Sequence, residues 1–424
     1  MNRNKSGWKH YISKTKEGVQ TISVGIDVSK GKSMVCIMKP GGEVLKTPFE
    51  MQHTMEEVLS LVTLIKSYNE EVRVILESTG YYHLPIVTVL IEKGIFVSTV
   101  NALRMQKFCS QNIRRAKTDR IDSINIAMFG ICYWDELNQV MPPEDTYREL
   151  KLLARQYYQS TSMLIKAKIN FGVLCDQVMP GVQNIIHEYR GTQKITGIVK
   201  RYLHFDNILK MSKNRFKTDY CKWAQKQGYR NCEQTAEKLY IAAPNGIPVL
   251  PNSLSTTIVI TEAIRVLHEM EASRNTILSQ MQALAKTLPE YQVVREMSCI
   301  GDVLAPKLIA EIGDIRKFRN KHSLIAYAGI DAPPYQSGSF NATERHISKR
   351  GNRYLRKTGF EVMQSLIQHK PADEPVFAFI EKKRSEGKCG KEAMIAGLNK
   401  FLRIYYGKIT ELYNSIEGQL NSDN

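Results

Sequence analysis

The fold is decided by the stretch Thr21-Ile-Ser-Val-Gly-Ile-Asp27-Val-Ser-Lys30. The β-branched and apolar residues on both sides of a single carboxylate predict a buried strand. A charge in such a place is costly unless a cation or a hydrogen-bond donor compensates it. We therefore expect Asp27 to be a ligand; taken alone, a structural role at the strand end is the alternative.

Three further carboxylates follow in comparable settings. Glu77 closes the apolar run that starts at Val72, and Asp119 and Asp122 lie in Lys117-Thr-Asp-Arg-Ile-Asp. Residues three apart share one face of a helix, where two like charges repel each other unless a cation lies between them. The alternative is a helix N-terminus, where acidic residues are favoured by the dipole. We expect the four carboxylates to meet and to hold a divalent metal over a nucleic-acid phosphate.

The order of predicted elements indicates an α/β domain with a ribonuclease H-like sheet. Alternation and turn residues predict three consecutive strands, then helix, strand, helix and strand. These elements are predicted at 21–29, 33–38, 43–50, 53–68, 72–77, 81–93 and 95–100, with helices over 101–127. In that topology the first strand lies beside the fourth, so Asp27 and Glu77 are predicted to be neighbours.

Composition indicates which class of binding partner and which cellular compartment fit this chain. The 424 residues are enough for two or three cores, and 59 Lys and Arg against 42 Asp and Glu give a net charge of +17, which suits a polyanion such as nucleic acid. The eight cysteines form no C-x-x-C pair, so neither a zinc knuckle nor a disulfide framework is indicated, and a reducing cytoplasm fits. No secretion signal or membrane span is recognisable.

The rest of the chain is predicted to be mainly helical. Heptad patterns predict two long helices, either paired within one chain or forming a coiled coil between protomers. The predicted divisions are a loose tail at 1–20, the α/β domain at 21–135, the long helices at 143–290 with an insert at 181–257, a C-terminal domain at 291–408 and a second tail at 409–424.

The insert is strongly basic, with 12 Lys and Arg against 5 Asp and Glu. Its cations alternate with aromatic residues, a combination that suits the binding of structured or single-stranded RNA through stacking. The alternative is a small helical subdomain with a solvated basic face. Both interpretations are open at the level of sequence.

The C-terminal domain carries two patterns suited to DNA. Met297 to Asp314 is interpreted as a helix-hairpin-helix, in which Gly301 lets the backbone approach a phosphate. Lys349-Arg-Gly-Asn-Arg-Tyr-Leu-Arg-Lys357 opens a basic helix, and residues 341–408 hold 15 Lys and Arg against 7 Asp and Glu. This end of the chain is therefore also predicted to bind phosphates.

Five motifs together resemble the transposases of the IS110 family of insertion sequences. They are Gly25-Ile-Asp27-Val-Ser-Lys, Glu77-Ser-Thr-Gly-Tyr, Lys117-Thr-Asp119-Arg-Ile-Asp122, Gln336-Ser337-Gly338 and Lys349-Arg-Gly-Asn-Arg-Tyr-Leu-Arg356. The resemblance implies a RuvC-like N-terminal domain with Asp27, Glu77, Asp119 and Asp122 as its Asp-Glu-Asp-Asp tetrad. It also implies a C-terminal transposase domain with Ser337 as nucleophile, and a structured bridge RNA that specifies target and donor DNA. Relatives commonly read Pro-Gly-Ile-Gly at the hairpin, whereas this chain has Ser298-Cys-Ile-Gly301.

The tetrad and Ser337 are expected to act in the same reaction. Mg²⁺ held by the tetrad would help to activate Ser337, whose attack on DNA would leave a phosphoserine that conserves the bond for rejoining. Recombination exchanges four strands, so we expect a homodimer that pairs into a tetramer. The residues expected to contact nucleic acid are Arg114, Arg115, Lys117, Arg120, Gly301, Gly338, Lys349, Arg350, Arg353 and Arg356. The alternatives are a RuvC-like nuclease that uses metal-activated water and a non-catalytic nucleic-acid-binding protein.

Overall fold

A computed structural model describes residues 21–78, 80–110, 118–140, 145–186, 192–333, 336–337, 340–341 and 346–422. The chain divides into two compact units, Met1–Pro142 and Pro143–Asn424. In the first unit, β1 (Thr21–Val28), β2 (Lys32–Lys39) and β3 (Glu43–Gln52) form a meander. They are followed by α1 (Met55–Ser67), β4 (Glu71–Glu77), α2 (Leu84–Glu92), β5 (Phe96–Val100), α3 (Ala102–Cys109) and α4 (Asp119–Cys132).

The five strands form one mixed sheet in the order β3-β2-β1-β4-β5. Strand β1 pairs antiparallel with β2 and parallel with β4, and β4 pairs parallel with β5. This order and these directions are those of the ribonuclease H-like fold that the sequence predicts. The first and fourth strands are neighbours at its centre.

The two faces of β1 have different partners. Val24 and Ile26 lie in a core with residues of α1 and α2. On the other face, the Ser23 hydroxyl donates a hydrogen bond to the Ala127 carbonyl of α4 at 2.7 Å. A Cβ added at Gly25 would lie 2.2 Å from the Ala127 amide nitrogen, so only glycine lets this helix approach the strand so closely.

The second unit is built around two long helices, α5 (Asp145–Val178) and, after the insert, α11 (Leu254–Ala285). Residues of α5 near Leu150 share a core with α11 residues near Met281, and those near Phe171 share a core with those near Ile260. The helices are therefore antiparallel and form a hairpin within one chain. This is one of the two arrangements that the heptad pattern allowed.

The insert between the long helices is a helical subdomain. It contains α6 (Val182–Ile185), α7 (Gln193–Tyr202), α8 (Phe205–Leu209), α9 (Lys213–Lys226) and α10 (Cys232–Asn245). Its core includes Tyr202, Phe205, Phe216 and Tyr220, each at most 4% exposed. Of the two interpretations that the sequence left open, the structure shows the helical subdomain. These four rings are not available to stack on RNA bases, because they pack against each other and the long helices.

The C-terminal part consists of α12 (Glu290–Arg295), α13 (Leu304–Ile312), α14 (Lys321–Ala328), the strands β6 (Gln336–Ser337) and β7 (Phe340–Asn341), and α15 (Arg353–His369), α16 (Pro375–Ser385) and α17 (Gly390–Ser422). The predicted tail at 409–424 differs from the structure as far as Ser422, because α17 continues through it with Ile409 and Tyr413 buried. The Tyr413 hydroxyl donates to buried Glu290 at 2.7 Å, which attaches this helix to α12. Within the described ranges, no helix is both long and apolar enough to cross a membrane.

Replacing Gly25 by alanine tests the contact between strand and helix. The new methyl group would overlap backbone atoms of Ser123 and Ala127, so we expect a loss of at least about 2 kcal/mol in the free energy of unfolding. Gly407→Ala is the control, because an added Cβ at that helical position meets nothing within 4 Å. This change should stabilise by about 0.5–1 kcal/mol. Calorimetry would compare the thermal unfolding of both variants with that of the wild type. An unchanged melting temperature for Gly25→Ala would contradict the close contact between β1 and α4.

Candidate carboxylate site and serine loop

Asp27 and Glu77 are brought to one edge of the sheet by strand register. In the parallel pair, Ile26 lies opposite Leu76, so the next residues, Asp27 and Glu77, reach the same level at the carboxyl ends of β1 and β4. Side chains alternate between the faces of a strand, and Gly25 faces α4. Asp27 therefore belongs to the α4 face, and Glu77 belongs to it as well because Ile75 contacts that helix at Gly130. Both carboxylates are partly buried.

Asp119 and Asp122 are in the first turn of α4, where the Thr118 hydroxyl caps the helix by accepting from the Ile121 amide. The helix runs antiparallel to β1, because Ala127 contacts Ser23 whereas Ser123 contacts Gly25. Its first turn therefore extends past Gly25 toward the end of the strand that carries Asp27. Asp119 and Asp122 precede the buried Ser123 and Ile126 by four residues each, so they project from the same side of the helix as those two residues. Asp122 is partly buried there, whereas Asp119 is exposed.

The electrostatic environment agrees with this arrangement. Burial raises the pKa of the Cys109 thiol, and the charges of Asp122 and Glu77 raise it further. The hydrogen bond with Glu50 raises the pKa of Lys32, and Asp119 contributes to that shift to a smaller extent. Glu77 and Asp122 thus influence one thiol, whereas Asp119 lies toward the turn that begins β2.

The four carboxylates of this edge suit a hard divalent cation, because such cations prefer oxygen ligands. In the conformation of the described residues, no three His, Cys, Asp or Glu side chains are gathered closely enough to hold an ion. The edge therefore provides the ligand chemistry and the shared face, but its side chains are not closed around a single point.

Ser337 is in a short hairpin of the second unit. Its backbone pairs with Phe340, and that of Gln336 pairs with Asn341, in an antiparallel ladder. The Ser337 side chain lies outside the described part of the structure, as do the four predicted contact residues Arg114, Arg115, Lys117 and Gly338.

The base of the serine loop is fixed by the basic motif that follows it. The backbone N–H groups of Ser348 and Lys349 donate to the Asp331 and Gly329 carbonyls at 2.8 and 3.0 Å. The backbone N–H of Asn352 donates to the Tyr327 carbonyl at 2.6 Å. These contacts join the two ends of the segment that contains Ser337. Sequence reasoning missed this function of the motif.

Gly351 and Asn352 have distinct structural functions in that contact. A Cβ at Gly351 would lie 2.1 Å from the Tyr327 carbonyl oxygen, so glycine is required for the close approach. The Asn352 side chain caps α15 by accepting from the Tyr354 and Leu355 amides, and its amide group donates to buried Glu311 at 2.8 Å. An asparagine directly before an amphipathic helix is a recognisable capping signal, so this function was detectable from the sequence.

The predicted nucleic-acid contacts of the C-terminal part differ in exposure. Lys349, Arg350 and Arg353 are exposed, as is Arg120 of the first unit. Arg356 is directed inward, where its guanidinium donates to the Ala328 and Gly351 carbonyls at 2.9 and 3.1 Å. Burial lowers the pKa of Arg356. Its observed contacts stabilise the loop base.

In the predicted helix-hairpin-helix at 297–314, the residues before Leu304 connect α12 to α13. Cys299 adopts a left-handed backbone with φ of 61°, and the Leu304 and Ala305 amides both donate to the Gly301 carbonyl at 3.1 Å. A groove beside the hairpin is lined in part by Lys286, Arg295, Ser298, Gly301 and His369. The interpretation of residues 297–314 as a DNA-binding helix-hairpin-helix stays a prediction.

Two family models match the chain. Residues 24–180 match a model described as a transposase, of the DEDD type in IS110 elements. Residues 291–377 match the model of the transposase IS116/IS110/IS902 family. The first match includes all four carboxylates, and the second includes the serine hairpin and the basic motif.

Two relatives cover nearly the whole chain. The insertion element IS116 uncharacterized 44.8 kDa protein of Streptomyces clavuligerus is 22% identical over 375 residues, covering 88% of this chain and 91% of its own length. The pilin gene-inverting protein of Moraxella bovis is 23% identical over 389 residues, covering 92% and 95%.

A solved structure of Thermus thermophilus RuvC in complex with a Holliday junction substrate also matches. It is 9% identical, covers 28% of this chain and 99% of its own, and has a TM-score of 0.22. Because this score is low, the fold assignment rests on the strand order and pairing described above.

The reactivity of Cys109 tests whether Glu77 and Asp122 share one environment. Both charges raise the pKa of the thiol, so Glu77→Gln or Asp122→Asn should lower it and increase the thiolate fraction between pH 8 and 9. We expect each variant to be alkylated at Cys109 faster than the wild type, as measured by mass spectrometry of its peptide. Asp119→Asn is the control, with an unchanged rate. Equal rates in all four proteins would contradict the arrangement.

Proposed function

Because this chain belongs to the IS110 family of transposases, we propose that it cuts and rejoins DNA through a covalent serine intermediate, guided by a structured bridge RNA. The observation that carries the proposal is the carboxylate edge, at which Asp27 and Glu77 end adjacent parallel strands while the first turn of α4 extends toward them. Four carboxylates on one face of a ribonuclease H-like sheet form a ligand set for divalent metal, and their identities match the Asp-Glu-Asp-Asp tetrad that the resemblance implies.

Asp27, Glu77, Asp119 and Asp122 would hold the metal, and we propose Mg²⁺ because carboxylates and water are its usual ligands. When bound, such an ion neutralises phosphate charge and stabilises the oxygen that leaves. The protein contributes by fixing the carboxylates on strand ends and on a capped helix, which limits their freedom. Their mutual repulsion is the electrostatic reason for a cation to bind.

Ser337 is the proposed nucleophile. A bond forms between its Oγ and the phosphorus as the bond from phosphorus to a deoxyribose oxygen breaks; the hydroxyl proton passes to a solvent base, and the released oxygen takes up a proton. The reverse reaction, with a different DNA end as attacking group, restores the serine. No external energy source is needed, because the phosphoserine conserves the phosphodiester bond.

One relative supports rejoining over simple cleavage. The Moraxella bovis protein is named for inverting a pilin gene, and inversion requires that DNA ends be joined again after they are cut. We extend this to the present chain as part of the proposal.

We propose that exposed basic residues hold the DNA backbone. Lys349, Arg350 and Arg353 flank the base of the serine loop, where they can bind phosphates without reading sequence, and Gly301 and Gly338 permit close backbone approach. Target choice then comes from base pairing with the bridge RNA, as in other guided enzymes. Arg120, which is exposed in the first turn of α4, would act similarly. Arg114, Arg115 and Lys117, which lie outside the described residues, are proposed as further contacts.

The active species is proposed to be a homodimer that pairs into a tetramer on DNA, in the cytoplasm and associated with the nucleoid. Ile165, Ile169 and Val173 recur at helical spacing on α5 and are each more than half exposed, although they are apolar. Such a stripe on a long helix is suited to a second copy of the chain.

A covalent-adduct assay tests the mechanism. Purified protein, its co-purified RNA, labelled DNA and Mg²⁺ should give a protein–DNA adduct that maps to Ser337 by mass spectrometry. Ser337→Ala should abolish the adduct and strand joining, and Asp27→Asn should lower both by at least about 10³-fold. Ser339→Ala is the matched control that keeps them.

Two outcomes would oppose the proposal. Cleavage by Ser337→Ala, with no adduct in the wild type, would identify a RuvC-like nuclease that uses water. Unchanged activity after Asp27→Asn would remove the tetrad from the chemistry.

A further inference from the structure

The insert between the long helices has an unusual division of charge on helix α9. Cations that face α10 are paired, because Lys213 lies 2.7 Å from Glu237 and Lys217 lies 3.2 Å from Glu233. Arg215, Lys222 and Lys226 are exposed on a different side of α9. Within the part of the chain that the structure describes, no carboxylate lies within 4 Å of these three cations.

The three exposed cations form one stripe. Steps of seven and four residues bring Arg215, Lys222 and Lys226 to the same side of the helix, over about 16 Å of its axis. The acidic residue beside them, Asp219, is bound by the Arg201 guanidinium at 2.6 and 3.1 Å and by the Tyr202 hydroxyl at 2.9 Å. The hydrogen bond from Arg201 is the main reason that the pKa of Asp219 is lowered. Its charge is therefore compensated, and the stripe is positive.

The stripe has cations and neutral polar groups but no stacking surface. Asn214, Thr218 and Gln225 are exposed next to this stripe, about a quarter-turn around α9 from the three cations. Of the aromatic residues of the same helix, Phe216 and Tyr220 are fully buried, and Trp223 is partly buried against Gly197 and Tyr229. Bases of a single strand would find no exposed ring on this stripe, whereas the backbone of a double helix would meet cations.

We propose that the outer stripe of α9, formed by Arg215, Lys222 and Lys226 with Asn214, Thr218 and Gln225, binds the backbone of double-helical RNA. The cations bind phosphates, and the amide and hydroxyl groups hydrogen-bond to ribose 2′-hydroxyls, the feature that distinguishes RNA from DNA. This inference rests on the proposed function, since it assigns a surface to a stem of the structured RNA. It also gives the insert, which neither family model covers, a function.

A pair of charge-matched double variants tests this inference in the full-length protein. Lys222→Gln with Lys226→Gln removes two charges from the stripe, whereas Lys213→Gln with Lys217→Gln removes two charges from the paired face of the same helix. Fluorescence anisotropy would measure binding to a 16-base-pair RNA duplex, a DNA duplex of the same sequence and a single-stranded RNA, over a range of salt concentrations. Thermal melting checks that both variants fold.

The stripe variant should bind the RNA duplex about tenfold more weakly. The slope of log Kd against log salt concentration should be smaller by about 1.5–2, because two phosphate contacts are lost. The paired-face variant should bind like the wild type. Equal losses in both variants, no loss in the stripe variant, or a loss that is as large for the DNA duplex or the single-stranded RNA would overturn the proposal.

The result is independent of the serine chemistry. If the Ser337 adduct forms but the stripe variant binds duplex RNA normally, only the inference about the insert is wrong. If the stripe variant loses duplex RNA binding and no adduct forms in any protein, the inference stands and the proposed recombination mechanism is wrong.

Discussion

The close approach of α4 to β1 at Gly25 is the contact on which the carboxylate site depends. The backbone of Ser123 and Ala127 occupies the space that any side chain at position 25 would need, and the Ser23 hydroxyl binds the Ala127 carbonyl beside it. Because helix and strand are antiparallel and in contact there, the start of the helix must extend past the strand end. Two residues of β1 and about one helical turn of α4 span similar distances, so Asp27 and the first-turn aspartates reach the same edge.

The serine loop depends on a comparable constraint in the second unit. Loops hold catalytic groups well only if a rigid scaffold fixes their ends. Here Gly351 packs against the Tyr327 carbonyl, and Asn352 both caps α15 and donates to Glu311, whose side chain also accepts from Arg155 of α5 at 2.9 Å. The ends of the serine segment are thereby attached to the long helical hairpin. The basic motif that is predicted to bind DNA therefore also stabilises the base of the serine loop. Arg356 is directed inward, whereas Lys349, Arg350 and Arg353 are exposed.

The sequence predicted the first unit well because its signals are local. Alternation predicts the five strands, and the order of these strands predicts that Asp27 lies beside Glu77, as the pairing of β1 with β4 confirms. Where the prediction failed, long-range packing decided the outcome. The rings of Phe216 and Tyr220 looked available for stacking, but their spacing of four, continued at Ala224, is that of a buried helical stripe. Likewise, Ile409 and Tyr413 continue the buried face of α17 into the predicted tail. The inward direction of Arg356 depends in part on the Ala328 carbonyl, which is 28 residues earlier in the chain.

The central claim is that the four carboxylates of the first unit bind one divalent-metal centre. Binding of Mn²⁺ to the full-length protein, followed by electron paramagnetic resonance, tests this most directly. The account predicts that wild-type protein binds the ion and that Asp27→Asn and Asp122→Asn each weaken binding by at least about tenfold, because each removes a charged ligand from the same site. Equal Mn²⁺ affinity in the wild type and both variants would contradict it.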